Sequence, residues 1–313
     1  MLTETQLNQR AGKMTSSVVA GALGLNPNMT PTAAREAILR VSDFTGNKAT
    51  ERGNLLEEPI LEFPCRALGL IRGEVGFAQI EPWAGDSVDA IYYQAGAVVA
   101  IGEGKSVALG SREKWGTPGT DQVPAHVAVQ CYWHLIHWPD AEYCVVPVLF
   151  GGYEFQFELY IIRRDEAIQA ELWARAKDWY ERFILGDEVP EIAAGDTEWL
   201  SRRFPCDLGT ELECTPDFEE VAAEVVALNE ERKAIEEREE AAKNRLRFLL
   251  GTHTTCRGPR FSATWKNSKD SIVVDYKGLV DALNISRETI DAFTTSKPGA
   301  RVLRVTASKG ARK

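Results

Sequence analysis

The stretch from residue 88 to 105 constrains the fold more than any other. Two runs rich in β-formers, VDAIYY and AVVAI, flank Gln94-Ala95-Gly96, and a short turn between such runs reads as a β-hairpin. Helical signals surround it. Thr15-Ser16-Ser17 is placed to cap a helix over VVAGALG, and Thr30-Pro31-Thr32 starts a second. NLLEEPILEF reads as a third, with Pro59 in its first turn or at a kink. After the hairpin, a loop rich in Gly, Thr and Asp (110–122) leads to Pro124 as the first residue of a helix through Trp138. Two strands (CVVPVLFG and YEFQFELYII) and the helix EAIQAELWARAKDWYERFILG follow. This order predicts an α/β core, a mixed central β-sheet flanked by helices.

The remainder reads differently. An acid-rich stretch precedes a long helix whose stripe (Val221, Val225, Leu228, Arg232, Ile235, Glu239, Ala242, Leu246, Leu249) alternates spacings of four and three. Such a seam packs as an antiparallel helix or a short intramolecular coil, ahead of a dimer zipper. Gly251 ends it, and RFSATWK, SIVVDY, a helix over 279–283 and RVLRVTA suggest a small α+β appendage. The expected organisation is a core over 1–205, an acidic linker and long amphipathic helix over 206–250, and a small C-terminal unit with a basic tail over 251–313. The 46 acidic against 36 basic side chains, a net charge of −10, argue against indiscriminate coating of nucleic acid but not against holding DNA locally. The six cysteines form no CxxC pair and read as reduced thiols. No apolar run is long enough for a membrane span, and the N-terminus shows no signal-peptide pattern. A cytosolic protein is therefore expected.

The residues with chemistry are Asp89 and the Glu103-Gly104-Lys105 run. With a three-residue turn, Asp89 faces about Ile101, which puts it on the same sheet face as Glu103 and Lys105. Two carboxylates held close repel each other, and Mg²⁺ or Mn²⁺ relieves that repulsion and activates water for phosphodiester hydrolysis. Lys105 then orients the water or balances phosphate charge. Asp86 is a rival ligand. A competing reading takes Gly104-Lys105-Ser106 as the end of a phosphate-binding loop. Val99 stands where that motif needs glycine, so an ATPase is the weaker alternative. His134 and His137 lie three apart, a metal-compatible spacing, but beside Trp133 and Trp138 they read as packing residues. Trp115 is placed either to stack on a base in a DNA path or to pin its own loop.

The order of motifs from about Arg10 to Pro190 resembles the YqaJ-like viral recombinase family, the phage lambda exonuclease group of the PD-(D/E)xK nuclease superfamily. The resemblance is carried by Arg10-Ala-Gly-Lys-Met-Thr-Ser-Ser17, Ala22-Leu-Gly-Leu-Asn-Pro27, Gly53-Asn-Leu-Leu-Glu57, Ser87-Val-Asp89-Ala, Glu103-Gly-Lys105 and Pro124…Val129-Gln130. It implies a restriction-endonuclease-like core. It also implies a Mg²⁺- or Mn²⁺-dependent 5′→3′ exonuclease that resects duplex DNA ends to 3′ overhangs for recombination. By position, Asp89, Glu103 and Glu57 would ligand metal, with Glu58 the competitor for the role of Glu57. Lys105 would be the catalytic lysine, and Gln130 would position the site. Arg10 and Ser17 would receive a terminal 5′-phosphate. A homo-oligomer, a trimer in much of the family, and a phage single-strand-annealing protein are the implied partners. The sequence departs from the pattern at Ala90 and at Gly104, where a strand former is usual. Gly102-Glu-Gly104 suggests a bulge or a looser metal site, which leaves open a DNA-binding recombination factor whose nuclease activity has lapsed.

Overall fold

The computed structural model describes residues 8–39, 48–152, 155–269, 273–295 and 302–305. They fall into two compact units, Met1–Arg203 and Phe204–Lys313. In the first, α1 (Ser16–Ala22) follows Thr15. The second helix, α2 (Pro31–Leu39), starts where Thr30 Oγ1 accepts the Ala33 N–H at 3.1 Å. Next, α3 (Lys48–Leu68) is longer than the expected segment and contains both Pro59 and Pro64, so Pro59 lies well inside it rather than in its first turn.

Six strands form the mixed sheet: β1 (Ile71–Gly73), β4 (Ala90–Gln94), β5 (Ala97–Gly102), β6 (Lys105–Ala108), β7 (Tyr143–Gly151) and β8 (Gln156–Arg163). Strand β4 is antiparallel to β1 and β5, β5 and β6 both run parallel to β7, and β8 is antiparallel to β7. A separate pair, β2 (Ala78–Glu81) and β3 (Ala84–Asp86), leads into β4. The expected mixed sheet flanked by helices is present. Of the helices after the hairpin, α4 spans Ala125–His137 and α5 spans Glu166–Tyr180. The Asp165 carboxylate caps α5 by accepting the Ile168 N–H at 3.0 Å. One sheet face carries Ile91, Ile101, Val146 and Val148 against Val127, Cys131 and Leu135 of α4. The other carries Ala90, Tyr92, Ala100 and Val145 against Leu61 of α3. Behind α4, Trp133 packs with α1, α2 and α5.

The hairpin corrects the expected register. Gln94 pairs with Ala97, so the tip has two residues, and Ala95 (φ 50°) and Gly96 (φ 86°) both adopt the left-handed conformation that tight hairpins need. Tyr93 pairs with Val98 but Tyr92 with Ala100, which leaves Val99 as a bulge. Ala90 therefore meets Gly102, and the Asp89 N–H donates to the Gly102 carbonyl at 3.1 Å. The same register puts Asp89 beside Glu103 rather than Ile101. A slip of two keeps the side-chain alternation, so the predicted shared face survives.

The Gly-Glu-Gly run makes no bulge. Gly102 pairs with Val145 and Lys105 with Val148, an unchanged offset, and the Glu103 N–H bonds the Val145 carbonyl between them. The glycines serve packing instead. A Cβ on Gly102 would lie 2.7 Å from the Tyr92 ring, and one on Gly104 would lie 3.1 Å from Leu61 and 3.2 Å from Ile60 of α3. The absent side chains let ring and helix close onto the strand.

In the second unit, α6 having ended the first at Thr197–Arg203, α7 (Pro216–Leu250) is capped by Thr215 and stopped at Gly251. Its stripe is not covered as expected: Val221, Leu228, Ile235, Leu246 and Leu249 are all more than half exposed. Among the described residues, the first of the three expected strands forms, as β10 (Ser262–Thr264) paired with β9 (Thr255–Arg257), and the other two lie partly outside them. Residues 273–275 and 302–305 are irregular, and α8 (Tyr276–Ala282) and α9 (Arg287–Ala292) supply the helices. Most of the basic tail lies outside the described residues. Among those described, no helix is long and apolar enough to cross a membrane.

Candidate active site

Four elements deliver the polar groups. The β5–β6 edge carries Glu103 and Lys105, the start of β4 carries Asp89, the end of β3 carries Asp86, and α4 carries Gln130 and His134 one turn apart. The indole of Trp133 fixes α4 to β3 by donating to the Gly85 carbonyl at 3.1 Å.

Lys105 Nζ donates to Glu103 Oε1 at 2.5 Å and to Gln130 Oε1 at 2.9 Å. The structure thus brings Glu103, Lys105 and Gln130 together. Asp89 Oδ2 accepts the Gly104 N–H at 2.9 Å, where β4 has run out and no longer offers a backbone acceptor. Burial first and the Glu103 charge second push the Asp89 carboxyl up to about 7, against a smaller opposing effect of Lys105. Glu103 is also buried, but Lys105 and then His134 outweigh that and hold it at about 2. Burial works against the Lys105 ammonium, yet the Glu103 charge and hydrogen bond leave its pKa above the ordinary value.

His134 is the site residue that sequence reasoning missed. It is fully buried, with Nδ1 2.6 Å from Asp86 Oδ2 and Nε2 2.9 Å from Glu103 Oε2. Burial opposes a charged ring, but the Asp86 charge and hydrogen bond, with Glu103 behind them, carry its pKa well above the usual value. Asp86, also fully buried, is held below its ordinary value because His134 outweighs burial. It takes a further hydrogen bond from the Trp138 indole at 3.2 Å. Asp86, the rival ligand, is therefore committed to His134. The informative spacing is four residues from Gln130, which puts His134 on the same helix face, rather than the three that separate it from His137. The His137 Nδ1–H bonds its own helix at the Trp133 carbonyl, as a packing residue does.

Glu57 is exposed and shares with Asp89 the wall of a cleft of about 500 Å³, whereas Glu58 pairs outward with Arg72 at 2.8 Å. Arg10 lines the same cleft and donates to Ser87 Oγ at 2.8 Å. Ser17 is exposed at the start of α1 and hydrogen-bonded to Thr15 at 3.0 Å, while Ser87 is the hydroxyl that Arg10 contacts. Trp115 is not available for stacking on a base. It is 7% exposed, packed on Phe150 and Tyr160, and its loop is held by Arg112, which bonds the Trp115 carbonyl and the buried Glu158. The phosphate-loop reading also falls, because Lys105 and Ser106 lie within the strand ladder rather than at a loop entering a helix. Among the described residues no three His, Cys, Asp or Glu side chains cluster at metal-holding distances. The donors available are the hard oxygens of Asp89 and Glu103, whose mutual repulsion a divalent cation would relieve.

Residues 6–137 match the family model of the YqaJ-like viral recombinase domain. No curated protein sequence matches the chain. Among solved structures, the chain is similar to an alkaline exonuclease from Laribacter hongkongensis (21% identity, covering 65% of this chain and 98% of that one, TM-score 0.45). It is also similar to a phage-related exonuclease from Haemophilus somnus 129PT (18%, covering 57% and 98%, TM-score 0.41). A third match is a putative exonuclease from Eubacterium rectale (10%, covering 68% and 96%, TM-score 0.43).

Proposed function

We propose that this chain, with its YqaJ-like viral recombinase domain over residues 6–137, is a phage-type exonuclease that hydrolyses the phosphodiesters of duplex DNA ends. The observation that carries the reading is the convergence of Asp89, Glu103, Lys105 and Gln130 on one edge of the sheet. Asp89 and Glu103 would hold Mg²⁺ or Mn²⁺, with Glu57 on the same cleft wall as a further carboxylate. When bound, such an ion polarises a phosphoryl oxygen and lowers the pKa of water. Lys105, fixed between Glu103 and Gln130, presents its ammonium to the attacking water or the phosphate. Gln130 keeps that ammonium from collapsing onto Glu103 alone. Arg10, with Ser87 beside it, offers the cleft a guanidinium for a terminal phosphate.

The finer reading follows the same resemblance: degradation from 5′ ends to leave 3′ overhangs, a homo-oligomer on the DNA, and cooperation with a single-strand-annealing protein. Incubation with linear duplex DNA and Mg²⁺ or Mn²⁺ tests it. Expected are nucleotide release from the 5′-labelled strand, intact circular DNA, and loss of release in Lys105→Ala. Salt-sensitive binding without turnover would instead support the lapsed recombination factor.

A further inference from the structure

A buried charged group between two buried carboxylates is a poor way to gain stability. Apolar residues of similar volume commonly do as well or better in such places. The Asp86–His134 pair lies directly behind Glu103, on the side away from Lys105, and it contacts a candidate ligand rather than a random part of the core. We propose that Asp86 and His134 form a positioning pair that orients the Glu103 carboxylate for a divalent cation; the inference rests on the nuclease reading above.

Both imidazole nitrogens face carboxylate oxygens, so both donate, and the ring cannot turn without losing a bond at each end. Asp86 is itself fixed by the Trp138 indole, and α4 is fixed to β3 through Trp133 and Gly85. Glu103 Oε2 is therefore tied to a frame built from a helix and a neighbouring strand, while Oε1 is held by Lys105. With both oxygens engaged, rotation of the carboxylate is stopped. Each oxygen still has an unused lone pair, and the fixed plane decides where those point. Partners of this kind, standing behind a ligand, change metal affinity or activity by about 10–100-fold when removed.

The test uses the full chain. Asp86→Asn keeps the shape and an acceptor for Nδ1–H; His134→Gln keeps one donor but cannot bridge both carboxylates. Glu158→Gln, which disrupts a buried carboxylate network elsewhere in the sheet, is the control. Mn²⁺ affinity is measured by calorimetry, and kcat and KM on linear duplex DNA are measured in parallel. The expectation is an Mn²⁺ dissociation constant raised about 10–100-fold in Asp86→Asn and His134→Gln, with kcat lowered and KM for DNA ends unchanged. The control keeps wild-type affinity. If His134→Gln fails to fold, Asp86→Asn decides. Wild-type-like Mn²⁺ affinity in a folded Asp86→Asn chain overturns the positioning role while leaving the nuclease intact. A wild-type chain that neither binds Mn²⁺ nor cuts DNA takes down both readings together.

Discussion

Replacing Asp89 with asparagine should stabilise the metal-free protein, and the gain should appear only as the pH rises. The carboxyl is pushed up to about 7 from an ordinary 3.8, so between those values the folded chain keeps a proton that the unfolded chain has released. Stability then falls with rising pH, and the full penalty operates above 7. The gap corresponds to at most about 4 kcal/mol. Asp89 lines an open cleft, where solvent screens part of the repulsion, so about 1–3 kcal/mol is the expected gain at pH 8. At pH 4 none is expected. Asparagine retains an acceptor for the Gly104 N–H, so the comparison isolates charge. His134 also lowers stability as pH rises above its ordinary value, because its folded pKa lies well above that of the unfolded ring. It does so in both proteins and largely drops out of the difference, because burial, Asp86 and Glu103, not Asp89, dominate its shift. Glu103, held at about 2, loses its contribution only as pH falls below the ordinary carboxylate range. Urea unfolding with EDTA, at pH 5 to 8, can be followed by tryptophan fluorescence, since Trp83, Trp133 and Trp173 cluster in the first unit. A variant no more stable than wild type at pH 8 would show that Asp89 and Glu103 do not oppose each other, and the shared-cation proposal would go with it.

Other changes have defined outcomes. Gly104→Val drives a side chain into Leu61 and Ile60 and should cost about 1–3 kcal/mol by urea unfolding. Trp115→Ala should cost about 3–5 kcal/mol, with DNA binding by the folded fraction unchanged in a filter assay; weakened binding would restore a contact role for the indole. Asp165→Ala removes the α5 cap and should cost about 1 kcal/mol. Mn²⁺ at about 100 times its dissociation constant should stabilise the wild type by roughly 2.7 kcal/mol in a thermal scan, and Asp89→Asn should lose most of that gain.

The core was legible wherever local chemistry and tertiary packing agree. The β-formers on either side of Ala95-Gly96 gave the hairpin, Thr30-Pro31 gave α2, and Pro124 marked the entry to α4. Side-chain alternation placed Asp89 with Glu103 even though Val99 bulges and the tip is shorter, because a slip of two preserves the face. What the sequence did not reveal depends on contacts between distant segments. Gly102 and Gly104 suggested a weakened strand, since the closeness of Tyr92 and α3 has no local signature. Asp86 and His134 are 48 residues apart in sequence, and nothing near either one announces the other. The contact of Arg10 with Ser87, 77 residues away, has no local signature either. In the second unit, SIVVDY and RVLRVTA read as strands on propensity, but their described parts, 273–275 and 302–305, do not join the β9–β10 pair.

The unbroken offset between β5, β6 and β7 restricts how this chain can vary in length. One residue inserted or deleted between Gly102 and Lys105 would flip the ammonium onto the face covered by α3 and leave Gln130 without its donor. Length changes are tolerable at the Ala95-Gly96 tip, where an added residue lengthens the turn outside the ladder, or beyond Ala108, where no site residue lies downstream on the same strand. Between those points the number of residues is as much a determinant of the chemistry as their identity.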